Sequence, residues 1–241
     1  METARIVIHK WGWIILLFFC GVGLFYPIIG LLAIVCMLGP SVYALVKNGR
    51  GWCGTYCPRG SFSDVILPGI SSNNDIPQFV VSPWFRLAFL ALLMIAFGIQ
   101  LVFAWGNSFE VGMVFVRMII ITTALTIILG VAYRPRTWCT FCPMGTMAHY
   151  ITKWKSPGCR GEYVTFKKDS CIDCSRCSRV CPMHIDLLEH KESGVTEPDC
   201  IKCGICISKC PKKAISLQPA AHSGELRVPE NPSKAAITSQ G

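Results

Sequence analysis

Eight cysteines between residues 171 and 210 constrain this chain more than any other feature of its sequence. They form two runs with the same spacing, C-x2-C-x2-C-x3-C, and a proline follows the last cysteine of each run. The runs are Cys171, Cys174, Cys177 and Cys181, followed by Cys200, Cys203, Cys206 and Cys210. This spacing is typical of the bacterial runs whose thiolates hold [4Fe–4S] cubanes.

The spacing also predicts which thiols share a cluster. Three cysteines separated by two residues each wind a short loop around one cluster, whereas the fourth thiolate reaches the neighbouring cluster. We therefore expect one cluster on Cys171, Cys174, Cys177 and Cys210, and the other on Cys200, Cys203, Cys206 and Cys181. Structural zinc would need four ligands in one tetrahedral site rather than eight in two runs. A disulfide framework requires an oxidising compartment and shows no such doubled spacing.

Residues 160–219 resemble the two-cluster ferredoxins. Within them, residues 162–168 and 214–218 contain enough β-branched and aromatic side chains to form the two outer strands. We place an α+β ferredoxin module at residues 159–219. Residues 220–241 are rich in Ser, Pro, Ala and charge without periodicity, which predicts a disordered tail.

The rest of the chain is strongly apolar, since 52% of the 241 residues are hydrophobic and only 15% are charged. After a polar lead at residues 1–10, four apolar runs predict transmembrane helices at about 11–26, 28–46, 84–105 and 113–133. The first run is short for a full crossing, so a re-entrant hairpin is the alternative for the first pair. The runs define a membrane domain at residues 11–158, an all-α four-helix bundle.

The distribution of charge predicts the orientation of this bundle. The net charge of +9 would suit a nucleic-acid partner, but many lysines and arginines lie beside the spans, where they mark the cytoplasmic side. The N-terminus, the 47–83 loop and the segment after residue 134 are basic, whereas the opposite side carries only Glu110. We therefore expect a multi-pass inner-membrane protein with both termini and the ferredoxin module in the cytoplasm, and no nucleic-acid partner.

Two short loops repeat one motif at the predicted cytoplasmic edge. Residues 50–62 read RGWCGTYCPRGSF and residues 136–147 read RTWCTFCPMGTM, and each follows a helix pair. The membrane domain is thus two copies of a helix pair followed by a Trp-Cys loop, at residues 52–60 and 138–145. The loop thiols are Cys53, Cys57, Cys139 and Cys142. Four thiols from equivalent loops predict a third iron–sulfur cluster, with two redox dithiols or reduced structural thiols as alternatives.

Two such membrane-edge loops followed by a two-cluster ferredoxin resemble the NapH-like membrane-bound 4Fe-4S quinol dehydrogenases and polyferredoxins. NosR- and CcoG-type iron–sulfur membrane proteins share parts of this arrangement. The resemblance covers about residues 11–219. It implies four spans, two [4Fe–4S] clusters, electron exchange with quinone or quinol in the bilayer, and another redox protein or complex subunit as a partner.

These observations favour a membrane-bound relay of electrons between the quinone pool and a redox partner. A copper reductase or assembly protein of the oxidase-maturation type is one alternative, and a passive iron–sulfur anchor of a larger reductase is another. No acid–base or nucleophilic constellation is visible, so the sequence leaves open whether the chain is itself an enzyme. Asp64 and His149, which follow the two cysteine loops, are candidates for a quinone and proton site, because quinol oxidation releases protons.

Overall fold

The computed structural model describes residues 2–47, 49–154, 162–192 and 194–219. The membrane domain contains α1 (Glu2–Phe25), α2 (Ala33–Lys47), α3 (Gly51–Thr55), α4 (Pro58–Val65), α5 (Gln78–Val81), α6 (Pro83–Phe103), α7 (Ser108–Ala132), α8 (Thr137–Phe141) and α9 (Pro143–Trp154). The C-terminal module contains β1 (Glu162–Phe166), α10 (Arg176–Arg179), α11 (Ile205–Ser208) and β2 (Ile215–Pro219). The predicted tail and the predicted domain boundary near residue 158 lie outside the described residues.

Three of the described helices are long and apolar enough to cross a membrane. They are Pro27–Lys47, in which a 3-10 helix at Pro27–Leu32 runs into α2, together with α6 and α7. The apolar part of the first helix, His9–Phe25, is shorter. The α1 helix ends before Pro27, whose ring nitrogen cannot donate a helical hydrogen bond. The chain is therefore membrane-associated, while a full crossing by the predicted 11–26 span stays a prediction.

The outer surface of these helices is apolar, as is typical of helices that lie in lipid. Large side chains point outward along the helices, and Phe103 at the end of α6 is 87% exposed. Trp84 and Trp105, at the two ends of the same apolar stretch, are both more than four-fifths exposed. Tryptophans at these positions are typical of the two membrane–water interfaces.

The two repeated Trp-Cys segments are mostly helical rather than the loops that the sequence predicts. The Trp-Cys pairs lie on the short helices α3 and α8, and α4 and α9 begin at Pro58 and Pro143. Proline is favourable at a first helical position because its missing N–H would have no partner there. The α4 helix packs against α1, whereas α9 packs against α2, so the second repeat is interlocked with the first.

The C-terminal module is built on a two-stranded antiparallel sheet. Its strands pair from Glu162 with Pro219 to Phe166 with Ile215, which confirms the predicted outer strands to within a few residues. Beneath the sheet lies a small apolar core that contains cysteines of both runs. Its buried members are Val164, Cys177, Leu187, Val195, Cys206 and Ile215.

Candidate iron–sulfur site

The two ligand loops of the C-terminal module share one backbone shape. Asp173 and Ser175 in the first loop have positive φ, as do Lys202 and Gly204 at the equivalent positions of the second. Left-handed residues at these points curl each loop so that successive amide groups face the same side, an arrangement that binds anionic groups. Each loop then enters a short helix, α10 or α11, that carries its third cysteine.

Two cavities lie beside these loops, and each is lined by four cysteines. The first, about 350 Å³ counted to its open mouth, is lined by Cys171, Cys174, Cys177 and Cys210. The second, about 370 Å³, is lined by Cys181, Cys200, Cys203 and Cys206. In both cavities the fourth cysteine comes from the other run.

The remaining walls of both cavities are mostly apolar, and this affects the thiols. Burial raises the pKa of Cys200 to about 11 and that of Cys206 to about 12. At neutral pH such thiols keep their protons unless a metal ion takes the place of the proton. The Ala214 amide donates a hydrogen bond to Cys210 Sγ at 3.4 Å, the kind of contact that tunes an iron–sulfur cluster. Four soft thiol donors in a mostly apolar cavity fit a [4Fe–4S] group.

A single metal ion has a different geometric requirement from a cluster. Within the described ranges, no three His, Cys, Asp or Glu side chains lie close enough together to hold one ion. The cysteines are distributed around the walls of two larger cavities.

The thiols of the membrane domain meet the ferredoxin module at its second cavity. Cys53 on α3 and Cys139 on α8 are both buried, and they pack in one cluster with Met183 and Ile201 of the ferredoxin module. The half-buried Cys181 and Cys203, which line the second cavity, belong to the same cluster. The edge of the membrane domain and the second cavity are therefore in direct contact.

The four thiols of the two repeats lie close enough to influence one another's charge. Burial raises the pKa of Cys53 to about 12, and negative charge on the other three thiols raises it as well. The pKa of Cys57 is instead lowered, chiefly by a hydrogen bond from Cys36 and also by the Gly60 amide, which lies 3.4 Å from its sulfur. The structure thus brings together the four loop cysteines that the sequence grouped, with Cys36 of α2 beside them.

Two buried arginines cross between the repeats. Arg50 and Arg136 each lie three residues before the first cysteine of their own repeat, and each is 1% exposed. Arg50 Nη2 donates to the carbonyl of Cys139 at 2.5 Å, and Arg136 Nη1 donates to the carbonyl of Cys53 at 3.1 Å. Each arginine therefore supports the cysteine-bearing helix of the other repeat, and Arg136 Nη1 also lies 3.5 Å from Cys139 Sγ.

The glycine of each C-P-x-G motif leaves room for these crossed arginines. A Cβ atom on Gly145 would lie 2.1 Å from Arg50 Nη2, and one on Gly60 would lie 2.9 Å from Arg136 Nη1. Any larger residue would displace a guanidinium group that has no free space around it. The motif therefore encodes the arginine crossing as well as the thiols.

One carboxylate, Asp199, ties the ferredoxin module to the membrane domain. It accepts hydrogen bonds from Arg50 Nη1 at 2.7 Å and Arg86 Nη1 at 2.8 Å. His149 Nδ1 lies 3.0 Å from the same carboxylate. Burial raises the pKa of Asp199, but the hydrogen bond with His149 and the two guanidinium groups bring it well below its ordinary value. Asp199 is therefore an anion held by α6, α9 and the residue before α3, directly next to Cys200.

Sequence reasoning missed Asp199 and Arg86. A sequence signal existed for Arg86, because an ionisable residue inside a predicted span suggests a functional or paired position. No comparable signal existed for Asp199, since its partners come from three distant segments of the membrane domain.

The structure gives the two predicted proton-site residues different partners. Asp64 on α4 contacts Arg136 at 2.7 and 2.5 Å and His9 Nε2 at 2.7 Å. Burial raises the pKa of Asp64, but Arg136 brings it well below its ordinary value. His149 contacts Asp199 instead. The assignment of Asp64 and His149 to a quinone and proton site stays a prediction.

The contact between the repeats and the ferredoxin module leads to a stability prediction at Gly54. A Cβ atom there would lie 2.2 Å from the carbonyl oxygen of Ile201, so Gly54→Ala should push the two backbones apart. We expect the free energy of unfolding to fall by about 1–3 kcal/mol, as overpacking typically costs, measured as a lower thermal midpoint. Gly98→Ala on α6, where no atom lies within 4 Å, should hold or raise the midpoint. Equal midpoints for Gly54→Ala and the wild type would contradict the backbone contact.

Two family models match the chain. The 4Fe-4S dicluster domain matches residues 163–221, which contain both cavities, and the 4Fe-4S binding domain matches residues 29–69 and 116–157, one for each Trp-Cys repeat. The chain therefore contains 4Fe-4S ferredoxin-type domains in these regions. Its two cavities and its repeated thiols therefore lie within sequence regions typical of cluster binding.

Three curated proteins are similar to parts of this chain. It is similar to Protein RdxA of Cereibacter sphaeroides, with 26% identity over 218 residues, 77% of this chain and 45% of RdxA. It is similar to the nitrogen fixation protein FixG of Rhizobium meliloti, with 25% identity over 229 residues, 77% of this chain and 41% of FixG. Its ferredoxin module is similar to the pyruvate synthase subunit PorD of Methanothermobacter marburgensis, with 43% identity over 63 residues, 24% of this chain and 73% of PorD.

The chain spans less than half the length of RdxA and of FixG. No solved structure matches it significantly. The homology is thus to RdxA- and FixG-type proteins, and the narrower resemblance to NapH-like quinol dehydrogenases stays a prediction.

Proposed function

We propose that this protein passes single electrons between the quinone pool of the membrane and a redox partner, through [4Fe–4S] clusters. The packing of Cys53 and Cys139 against Cys181 and Cys203 supports this proposal most directly. It makes one continuous path from the edge of the membrane helices to the second cavity of the ferredoxin module. Bound clusters would supply reversible one-electron chemistry, while the chain holds them, excludes water and sets their potentials.

The ferredoxin module would hold two of these clusters. The ligand sets are Cys171, Cys174, Cys177 and Cys210 for the first cavity, and Cys200, Cys203, Cys206 and Cys181 for the second. Each cavity is lined by the first three cysteines of one run and the fourth cysteine of the other, and this supports the assignment. The short segment between the third and fourth cysteines of each run would then link the two clusters.

A third cluster would be held by Cys53, Cys57, Cys139 and Cys142. Four arginines and two aspartates surround or anchor these thiols, and the carboxylates pair with three of the arginines. The fourth, Arg59, donates to Thr122 at 2.8 Å and has no carboxylate partner among the described residues. These four arginines and two aspartates together carry a net charge of about +2, which suits a [4Fe–4S] core whose four thiolates bring its charge to about −2.

We place the Trp-Cys repeats and the ferredoxin module on the cytoplasmic side, because the basic residues that flank the spans favour this orientation. Quinol would then reach the thiols of the repeats from the bilayer and release its protons at the same edge. His149 and Asp64 are our candidates for the proton site. Because Arg136 holds the pKa of the Asp64 carboxyl well below its ordinary value, the proton acceptors would be the imidazoles of His149 and of His9, which pairs with Asp64.

A quinol titration tests the relay. The protein, purified anaerobically into nanodiscs, is mixed with a reduced menaquinol analogue, and the clusters are followed by electron paramagnetic resonance. We expect signals of reduced clusters to grow with added quinol, and about twelve iron atoms per chain for three cubanes. Dithionite serves as the control, since it reduces the clusters without the quinone route. Signals that appear with dithionite but never with a quinol of sufficiently low potential would contradict the relay.

A further inference from the structure

The two cavities of the ferredoxin module differ in what covers them. Ile201, which lines the second cavity, is 2% exposed and packs with Cys53 and Cys139 of the membrane domain. The lining of the first cavity reaches solvent, since Cys174 is exposed and Ile172 is 59% exposed. The second cavity is therefore the inner one and the first is the outer one.

The rim of the outer cavity is positively charged. Arg176 and Lys212 both line it and both are exposed, and no Asp or Glu lines it among the described residues. Arg179 is also exposed, and its Nη2 donates to the carbonyl of Cys174 at 3.0 Å.

Asp173, the carboxylate within the first ligand loop, does not neutralise the positive charge of the rim. Asp173 is held by Lys191 Nζ at 2.8 and 2.9 Å, so the pair is neutral. Exposed charges next to the two runs in sequence have both signs, since Lys209 and Lys213 flank the end of the second run and Asp169, Asp186 and Glu189 flank the first. The positive charge is therefore confined to the rim formed by Arg176, Arg179 and Lys212.

We propose that this face, formed by Ile172, Cys174, Arg176, Arg179 and Lys212, is the docking surface for an acidic one-electron carrier protein. An exposed apolar centre with a charged rim is the usual anatomy of such a contact, and weak redox encounters need only a small area. The inference rests on the proposed function, because it assigns the second end of the relay. In each encounter one electron lost by the chain is gained by the carrier's redox centre, or the reverse.

The three cations of the rim exceed the charge of about −2 that a cluster in the outer cavity would carry, so the face keeps a positive sign. This sign determines the partner's chemistry. A surface of one sign raises the association rate of an oppositely charged protein by about 10- to 1,000-fold at low ionic strength, and this gain falls as salt screens it. A carrier with carboxylates around its redox centre would therefore dock with that centre facing the outer cavity, whereas a basic carrier would be repelled.

Binding to an acidic flavodoxin tests this proposal without any electron transfer. The full chain is held in zwitterionic nanodiscs, and the association of oxidised flavodoxin is measured with both proteins oxidised, over a range of salt concentrations. We expect the double variant Arg176→Glu/Lys212→Glu to lower the association rate constant at least about tenfold at low salt. Arg176→Lys should retain binding. A matched control is Lys153→Glu, an exposed lysine at the end of α9, which should bind as the wild type does.

The outcomes of this experiment distinguish failure of the docking surface from failure of the quinol relay. Unchanged association in the double variant, or wild-type binding that does not depend on salt, would overturn the docking surface even if quinol reduces the clusters. Loss of association with unchanged resonance spectra would support it even if quinol fails to reduce them. If the variant loses affinity for anionic lipid vesicles while its affinity for flavodoxin stays the same, the face is a lipid contact and the proposal is wrong.

Discussion

Serine in place of both Cys53 and Cys139 should remove about four of about twelve iron atoms per chain, because a cubane needs all four of its ligands. Serine has nearly the same shape as cysteine but offers a hard oxygen in place of a soft sulfur, so the change acts mainly on the metal. We also expect quinol to lose the ability to reduce the two remaining clusters, since the membrane end of the path is gone. Iron and sulfide analysis and resonance spectra of the anaerobic protein measure both effects.

The control for this double variant is Cys20→Ser. Cys20 lies within α1, packs against an apolar cluster and belongs to no proposed ligand set, so the iron content should stay that of the wild type. About eight iron atoms in the wild type, with no loss in the double variant, would exclude a third cluster. The thiols of the repeats would then be redox dithiols or structural groups.

Asp199→Asn should release the ferredoxin module from the membrane domain. Asparagine has the shape of aspartate without its charge, so Arg50 and Arg86, which are 1% and 7% exposed, would remain buried without a counter-charge. Removal of one partner from a buried ion pair typically costs about 3–5 kcal/mol. We expect a lower unfolding midpoint and slow or absent reduction of the ferredoxin clusters by quinol, with dithionite reduction retained.

A matched control for Asp199→Asn is Asp75→Asn. Asp75 also pairs with an arginine, Arg134, at 2.7 Å, but its side chain is 93% exposed. Surface pairs of this kind contribute about 0–1 kcal/mol, so the midpoint and the quinol reaction should change little. If Asp199→Asn behaves like Asp75→Asn, the carboxylate does not hold the two domains together.

The features that the sequence predicted are those that local spacing determines. The C-x2-C-x2-C loops curl around cavities because left-handed residues such as Asp173 and Lys202 lie between their cysteines. The apolar runs became α6 and α7, whose ends differ from the prediction by up to five residues. Apolar sequence of that length is stable as helix in lipid even where it includes one or two ionisable residues.

The features that the sequence did not predict depend on docking between distant segments. Arg86 is an ionisable residue inside an apolar run, but the sequence does not show that its partner is Asp199, which lies far along the chain. The repeat predicted that Cys53 and Cys139 are equivalent, but nothing in a linear motif shows that Arg50 reaches the other copy. The helical form of the Trp-Cys segments was also missed, because five-residue helices such as α3 and α8 are too short for a periodic signal.

The crossing of Arg50 and Arg136 has a consequence for biosynthesis. Each guanidinium group supports the backbone of the opposite copy. The first copy therefore lacks one of its supporting hydrogen bonds until the second copy has been synthesised. A nascent chain that ends before Arg136 would present Cys53 without the hydrogen bond that supports its carbonyl group. The thiols of the repeats would therefore be arranged to accept a cluster only after the second copy has entered the bilayer and packed against the first.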